Sequence, residues 1–211
     1  MTKFASLCSG IGGLDIVCKK FGWEPAWHAE VEPNATLVHA ERFGNKPNYG
    51  DISQISWADI QKPDVLTAGY PCQPFSYAGS RKGEDDHRHL WPHIKQTIHI
   101  LRPETILLEN VPGHITKGLP TVLQDLEDVG YTTKWMQLGS SDIGGCHRRK
   151  RIWILAEQTP GLHKPAVSPQ NFQPKKTKLL PTPVVDARIS RRMGNRPSAG
   201  NQKNESISFT W

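Results

Sequence analysis

Apolar positions along the chain fall into two alternating textures. Short β-type runs cover residues 3–8, 25–31, 64–68, 105–109, 131–138 and 151–156. Thr105-Ile106-Leu107-Leu108-Glu109 is the plainest of them, apolar on both faces and so expected to be buried. Between these runs, residues 14–21, 34–43, 89–101 and 119–129 carry apolar side chains at helical spacing, with Gly22, Gly44 and Gly130 as stops. Strands regularly separated by helices predict an α/β domain built on a doubly wound, mostly parallel sheet.

Past Glu157 the texture changes. Residues 159–211 hold 7 of the 17 prolines, a lysine cluster at Lys175, Lys176 and Lys178, and little apolar periodicity. The expected division is a catalytic-type domain over 1–158 and a basic, Pro-rich tail over 159–211, extended or disordered apart from the apolar patch at residues 179–185. Charge sharpens the division. Residues 1–158 carry 17 Lys/Arg against 18 Asp/Glu, and residues 159–211 carry 9 against 2, so the net +6 lies wholly in the tail. A near-neutral body with a basic tail suits a polyanion partner; a tail that merely aids solubility fits the charge equally well.

A chain of 211 residues can bury a substantial core. No run approaches the roughly 18 apolar residues of a membrane span, and the start lacks the pattern of a signal peptide. Four cysteines (Cys8, Cys18, Cys72 and Cys146) with no CxxC pair argue against a disulfide scaffold and a zinc site. The expected setting is soluble, reducing and intracellular.

Four places carry candidate chemistry. The first strand ends in Ser9-Gly10-Ile11-Gly12-Gly13, a turn that lets backbone approach a ligand, and Glu30 follows Gly10 by 20 residues at the end of the second strand. A carboxylate there is placed to accept the ribose hydroxyls of a nucleotide-type cofactor, although many α/β folds use such a turn only for packing. Cys72 sits in Gly69-Tyr70-Pro71-Cys72-Gln73-Pro74-Phe75-Ser76, just after a strand, where open sheets place ligands and nucleophiles. Glu109 ends the buried fourth strand and should open at the same sheet edge, either as a proton donor or as an ion-paired acid. In the run His147-Arg148-Arg149-Lys150-Arg151, Arg149 and Arg151 alternate onto one strand face and Arg148 and Lys150 onto the other.

In this order the chain resembles the DNA (cytosine-5) methyltransferases, which use S-adenosylmethionine. The matching residues are Phe4-Ala5-Ser6-Leu7-Cys8-Ser9-Gly10-Ile11-Gly12-Gly13-Leu14-Asp15, Glu30, Gly50-Asp51-Ile52, Pro71-Cys72-Gln73-Pro74-Phe75-Ser76, Glu109-Asn110-Val111 and Arg149-Lys150-Arg151-Ile152, spanning roughly 3–157. The resemblance implies a Rossmann-like methyltransferase fold. It implies that Cys72 adds to C6 of a flipped cytosine, that Glu109 holds or protonates N3, that Arg151 contacts O2, and that Arg149 supports Glu109 and a phosphate. Ser9, Gly10, Ile11, Gly12, Gly13, Leu14, Glu30, Val31, Asp51, Ile52 and Pro71 would hold S-adenosylmethionine, with Glu30 on the ribose and Asp51 at the adenine amino group. Residues 76–90 resemble the loop that closes over the flipped base, and Gln73, Ser76 and Arg88 are the implied DNA contacts. No metal is implied, and the implied location is the cytoplasm of a bacterium, host- or phage-encoded.

The sequence departs from the family in two places. His147 stands where glutamine is common. Residues 159–211 show no convincing target-recognition domain or closing Gly-Asn motif; an apolar helix follows neither Gly194-Asn195 nor Gly200-Asn201. Three readings stay open for this end: a minimal DNA grip, a separate polypeptide that supplies the rest, or a truncated core inactive alone. A family branch acting on transfer RNA keeps cytosine methylation of RNA open beside DNA.

Overall fold

The computed structural model describes residues 1–57, 59–71 and 90–161. Six strands, β1 (Lys3–Leu7), β2 (Glu24–Ala29), β3 (Val65–Gly69), β4 (Thr105–Asn110), β5 (Tyr131–Gly139) and β6 (Lys150–Gln158), form one sheet in the order β2-β1-β3-β4-β6-β5. β2, β1, β3 and β4 run parallel; β6 lies antiparallel between β4 and β5. The mostly parallel α/β sheet read from the sequence is present, and the antiparallel hairpin of β5 and β6 closes one side.

Alternation along the strands gives each face its own character. Ala5 and Leu7, Leu66 and Ala68, Ile106 and Leu108, and Ile152, Ile154 and Ala156 face one way. They form the main core with Ile94 and Ile98 of α3 (Trp91–Leu101) and Val122 and Leu126 of α5 (Leu119–Asp128). On the opposite face Phe4 and Val65 pack with Cys18 of α1 (Gly13–Lys20). The next positions on that face are polar. Ser6 pairs in register with His28 on one side and Thr67 on the other, and all three are buried. α2 (Pro33–Phe43) and the single turn α4 (His114–Lys117) are the other α-helices among the described residues; nothing in the apolar spacing announces α4.

The first strand stops one residue short of the expected end. Cys8 adopts φ 51°, turning the chain out of the sheet and into the glycine turn. Among the described residues no helix is long and apolar enough to cross a membrane, and no group of three or more His, Cys, Asp or Glu side chains is arranged to hold a metal ion. The tail from residue 162 onward lies outside the described residues.

Candidate active site

The glycine turn is built from both sides. Gly12, at φ 82°, caps α1, and a Cβ there would overlap the Phe43 ring of α2 and crowd His39. Arg42, also on α2, donates from Nη1 to the Ile11 carbonyl at 2.9 Å. Glu30 holds the turn from the end of β2. Its Oε2 accepts from Gly10 N–H at 2.7 Å, and its Oε1 accepts from the N–H groups of Val31 and Glu32, both at 2.9 Å. Three backbone donors leave about one of the carboxylate's four acceptor positions for a ligand.

A second group, which sequence reasoning missed, fixes Glu30 against Asp51. The buried Asn48 accepts at Oδ1 from Glu30 N–H and Gly50 N–H, both at 3.0 Å. Its Nδ2 donates to the Glu30 carbonyl at 3.0 Å and to Thr36 Oγ1 at 3.3 Å. Three of the carboxamide's four hydrogen bonds therefore hold two carboxylate-bearing segments together, and the fourth ties them to α2. Asp51 is exposed and caps the turn Ile52–Gln54 by accepting from Ser53 N–H at 2.9 Å.

Between these carboxylates lies a cavity of about 400 Å³. Val31, Ile52, Pro71 and Leu90 give it apolar walls, and Glu30 and Asp51 give it charged edges. An apolar slot edged by two carboxylates suits a flat heterocycle joined to a hydroxylated sugar, so the residues present fit a nucleoside-type cofactor.

A second cavity of about 550 Å³ lies against the sheet, and Cys8 and Gly69 belong to the walls of both. Ser6, Asp15 and Thr67 line it on one side, Glu109, Arg149 and Trp153 on another. Arg151 Nε lies 2.6 Å from Glu109 Oε1, with both side chains roughly four-fifths buried (19% and 23% exposed). The register explains the pairing. Trp153 stands opposite Glu109 across the antiparallel ladder, so Arg151, two residues nearer the edge on the same face, reaches the carboxylate. Arg149 lies beyond the strand's start, exposed but still lining the cavity. Arg151, implied for the base's O2, is thus the arginine that directly supports Glu109.

Asn110 ties this edge to the next loop. Its Nδ2 donates to the Tyr70 carbonyl at 3.2 Å, fixing the chain immediately before Pro71, and its Oδ1 accepts from Val111 N–H at 2.8 Å. At the junction of the cavities, burial together with the charges of Glu30 and Asp51 pushes the Cys8 thiol up to about 12. Cys8 is therefore a neutral thiol near neutral pH, in a field that favours cations.

Of the residues singled out by sequence, Glu30, Val31, Asp51, Ile52 and Pro71 line the smaller cavity. Ser9, Ile11, Gly13, Leu14, Glu109 and Arg149 line the larger. Gly10 and Gly12 shape the turn between them. Cys72, Gln73, Ser76 and Arg88 lie outside the described residues. Asn48 and Thr67 escaped notice, and Asp15 stood in the first motif without a role, because their partners or neighbours in space lie far along the chain.

The family model described as C-5 cytosine-specific DNA methylase matches residues 2–208, further than the span carried by the motifs. The chain is 38% identical over 160 residues to the Type II methyltransferase M.NgoBI of Neisseria gonorrhoeae, covering 74% of this chain and 50% of that protein. It is 30% identical over 197 residues to the Type II methyltransferase M.MspI of Moraxella sp, covering 90% and 47%. Among solved structures, the S. pombe Dnmt2 methyltransferase superposes with a TM-score of 0.65 at 24% identity, covering 75% of this chain and 51% of that one. A putative DNA modification methyltransferase encoded within an E. coli prophage gives 0.64 at 23% identity, covering 85% and 53%. The chain spans about half the length of these relatives. Nothing in the likenesses supports a separate polypeptide partner.

Proposed function

Because the chain belongs to the C-5 cytosine-specific DNA methylase family, we propose that it transfers a methyl group from S-adenosylmethionine to C5 of cytosine in DNA. The observation that carries this reading is the junction at Cys8 and Gly69. There a cavity edged by the Glu30 and Asp51 carboxylates, with Pro71 in its wall just before Cys72 in the chain, adjoins the cavity lined by Glu109, which pairs with Arg151. The cofactor's role is to supply an electrophilic methyl group. Glu30 and Asp51 hold its nucleoside, and their negative field suits its positive charge.

In this reading the thiolate of Cys72 bonds to C6 of a flipped cytosine, and the C5–C6 π electrons move to C5, which takes the methyl group. Glu109 hydrogen-bonds N3 and so draws charge from the ring as the adduct forms. Arg151 holds Glu109 and reaches O2, and Arg149 lies where a phosphate would pass. Loss of the C5 proton re-forms the double bond and expels the sulfur. Gln73, Ser76 and Arg88 are assigned to DNA, and residues 159–211 to phosphate contacts. The Type II names of the relatives support DNA over RNA as the target.

The test is incubation with methyl-labelled S-adenosylmethionine and either duplex DNA or transfer RNA, followed by mapping of the labelled base. Label at cytosine C5 of DNA is expected. Label on RNA alone would move the reading to the RNA branch, and label on neither would contradict both. Removing residues 159–211 should flatten the salt dependence of DNA binding, by about 0.9 in the slope of log affinity against log salt for each phosphate that the tail neutralises.

A further inference from the structure

Beneath the glycine turn, Ser6, Asp15 and Thr67 make one wall of the larger cavity polar where a core would be apolar. His28, Ser6 and Thr67 stand side by side on β2, β1 and β3, and Asp15 comes down onto them from α1, only 1% exposed. Asp15 Oδ2 accepts from Ser6 Oγ at 3.0 Å and from His39 Nε2 at 2.6 Å, while the His39 ring stacks on His28 with centroids 3.9 Å apart. Its other oxygen, Oδ1, has no partner among the described residues, and neither do the hydroxyls of Thr67 and Ser9.

Unpartnered acceptors sealed from solvent are costly, and a fold normally removes them. Here Ser6, Ser9, Asp15 and Thr67 all line the 550 Å³ cavity, so the missing partner can come from a ligand. Its chemistry is constrained. Asp15 Oδ1 only accepts, so the ligand group must donate, and a buried carboxylate favours a cationic donor. The two cavities adjoin at Cys8 and Gly69, so one ligand that fills the neighbouring cavity is the natural source of such a group.

We propose that Asp15 and Thr67 form an ammonium subsite that takes the α-amino group on the amino-acid arm of the cofactor. The proposal rests on the S-adenosylmethionine reading and deepens it. The nucleoside sits between Glu30 and Asp51, the arm passes Cys8, and the ammonium reaches Asp15 Oδ1 and Thr67 Oγ1. Ser6 and His39 then act as positioning residues, turning the carboxylate so that Oδ1 faces the cavity.

Calorimetric titration separates the arm from the nucleoside. S-adenosylhomocysteine carries the amino-acid arm, and 5′-methylthioadenosine has a methyl group in its place. Asp15→Asn should weaken S-adenosylhomocysteine about ten-fold or more and Thr67→Val about three-fold, while both leave 5′-methylthioadenosine within about two-fold of wild type. Equal losses for the two ligands would assign Asp15 to holding the glycine turn and overturn the subsite. No loss for either ligand would overturn it too, leaving the row to buried water. If Asp15→Asn fails to fold, Thr67→Val with the same pair of ligands decides. Wild-type protein that binds neither ligand would refute the cofactor reading itself. Wild-type protein that binds both with equal affinity would remove the subsite alone.

Discussion

The two cavities that meet at Cys8 differ in how their polar groups are spent. In the smaller one Glu30 already accepts three backbone N–H groups and Asp51 caps a turn, with Asn48 bracing both. In the larger one the acceptors pair side chain to side chain, as Glu109 does with Arg151, or have no partner among the described residues, as with Asp15 Oδ1 and Thr67 Oγ1. Backbone partners cannot rearrange without moving the chain at the strand ends, so the smaller cavity suits the proposed role of a fixed template for the cofactor. Side-chain pairs can exchange one partner for another within a turnover. The proposed chemistry is assigned to that side.

The largest effect that separates the two cavities is expected at Glu109. Glu109→Gln should lower the single-turnover rate by about 10²–10⁴-fold and leave cofactor affinity nearly unchanged. Rapid-quench kinetics beside calorimetry check this, and a parallel loss of affinity would erase the distinction. Next comes Glu30→Ala, which strands three backbone donors and should cost cofactor binding about 1–3 kcal/mol. Asp51→Ala, at an exposed cap, should fall at the lower end of that range. Equal and negligible losses in a calorimeter would show that neither carboxylate meets the ligand.

The smallest effect probes the buried histidines through pH. Burial, with the neighbouring His39, lowers His28 from its ordinary 6.5 to about 3, and burial lowers His114 to about 4. The unfolded chain therefore binds more protons than the folded one below pH 6.5, so stability is present above that value and is lost as pH falls through it. Between pH 7 and 5.5 each histidine should remove on the order of 1 kcal/mol, measurable by urea denaturation. His28→Phe keeps a ring against His39 and should shrink that slope; an unchanged slope would mean that His28 is solvated.

The parallel strands, the glycine turn, Glu30 and Glu109 were legible in the sequence because each is a local signal: an apolar run, a turn, an acid at a strand end. The bracing was not. Asn48 works on Glu30, 18 residues away, and Asn110 on the Tyr70 carbonyl, 40 residues away. Asp15 reads locally as an ordinary acid in the first turn of a helix, and only the alignment of β1 with β2 and β3 reveals the polar row beneath it. The division of labour between Arg149 and Arg151 likewise needed the register of β6 on β4.

Central to the proposed function is a covalent bond from Cys72 to cytosine C6. Duplex DNA carrying 5-fluorocytosine tests it directly, because fluorine at C5 cannot leave as a proton does. With S-adenosylmethionine present, the wild-type protein should form a denaturation-resistant adduct, and Cys72→Ala should form none while still binding cofactor. An adduct that survives Cys72→Ala, or that maps to Cys146, would contradict the account.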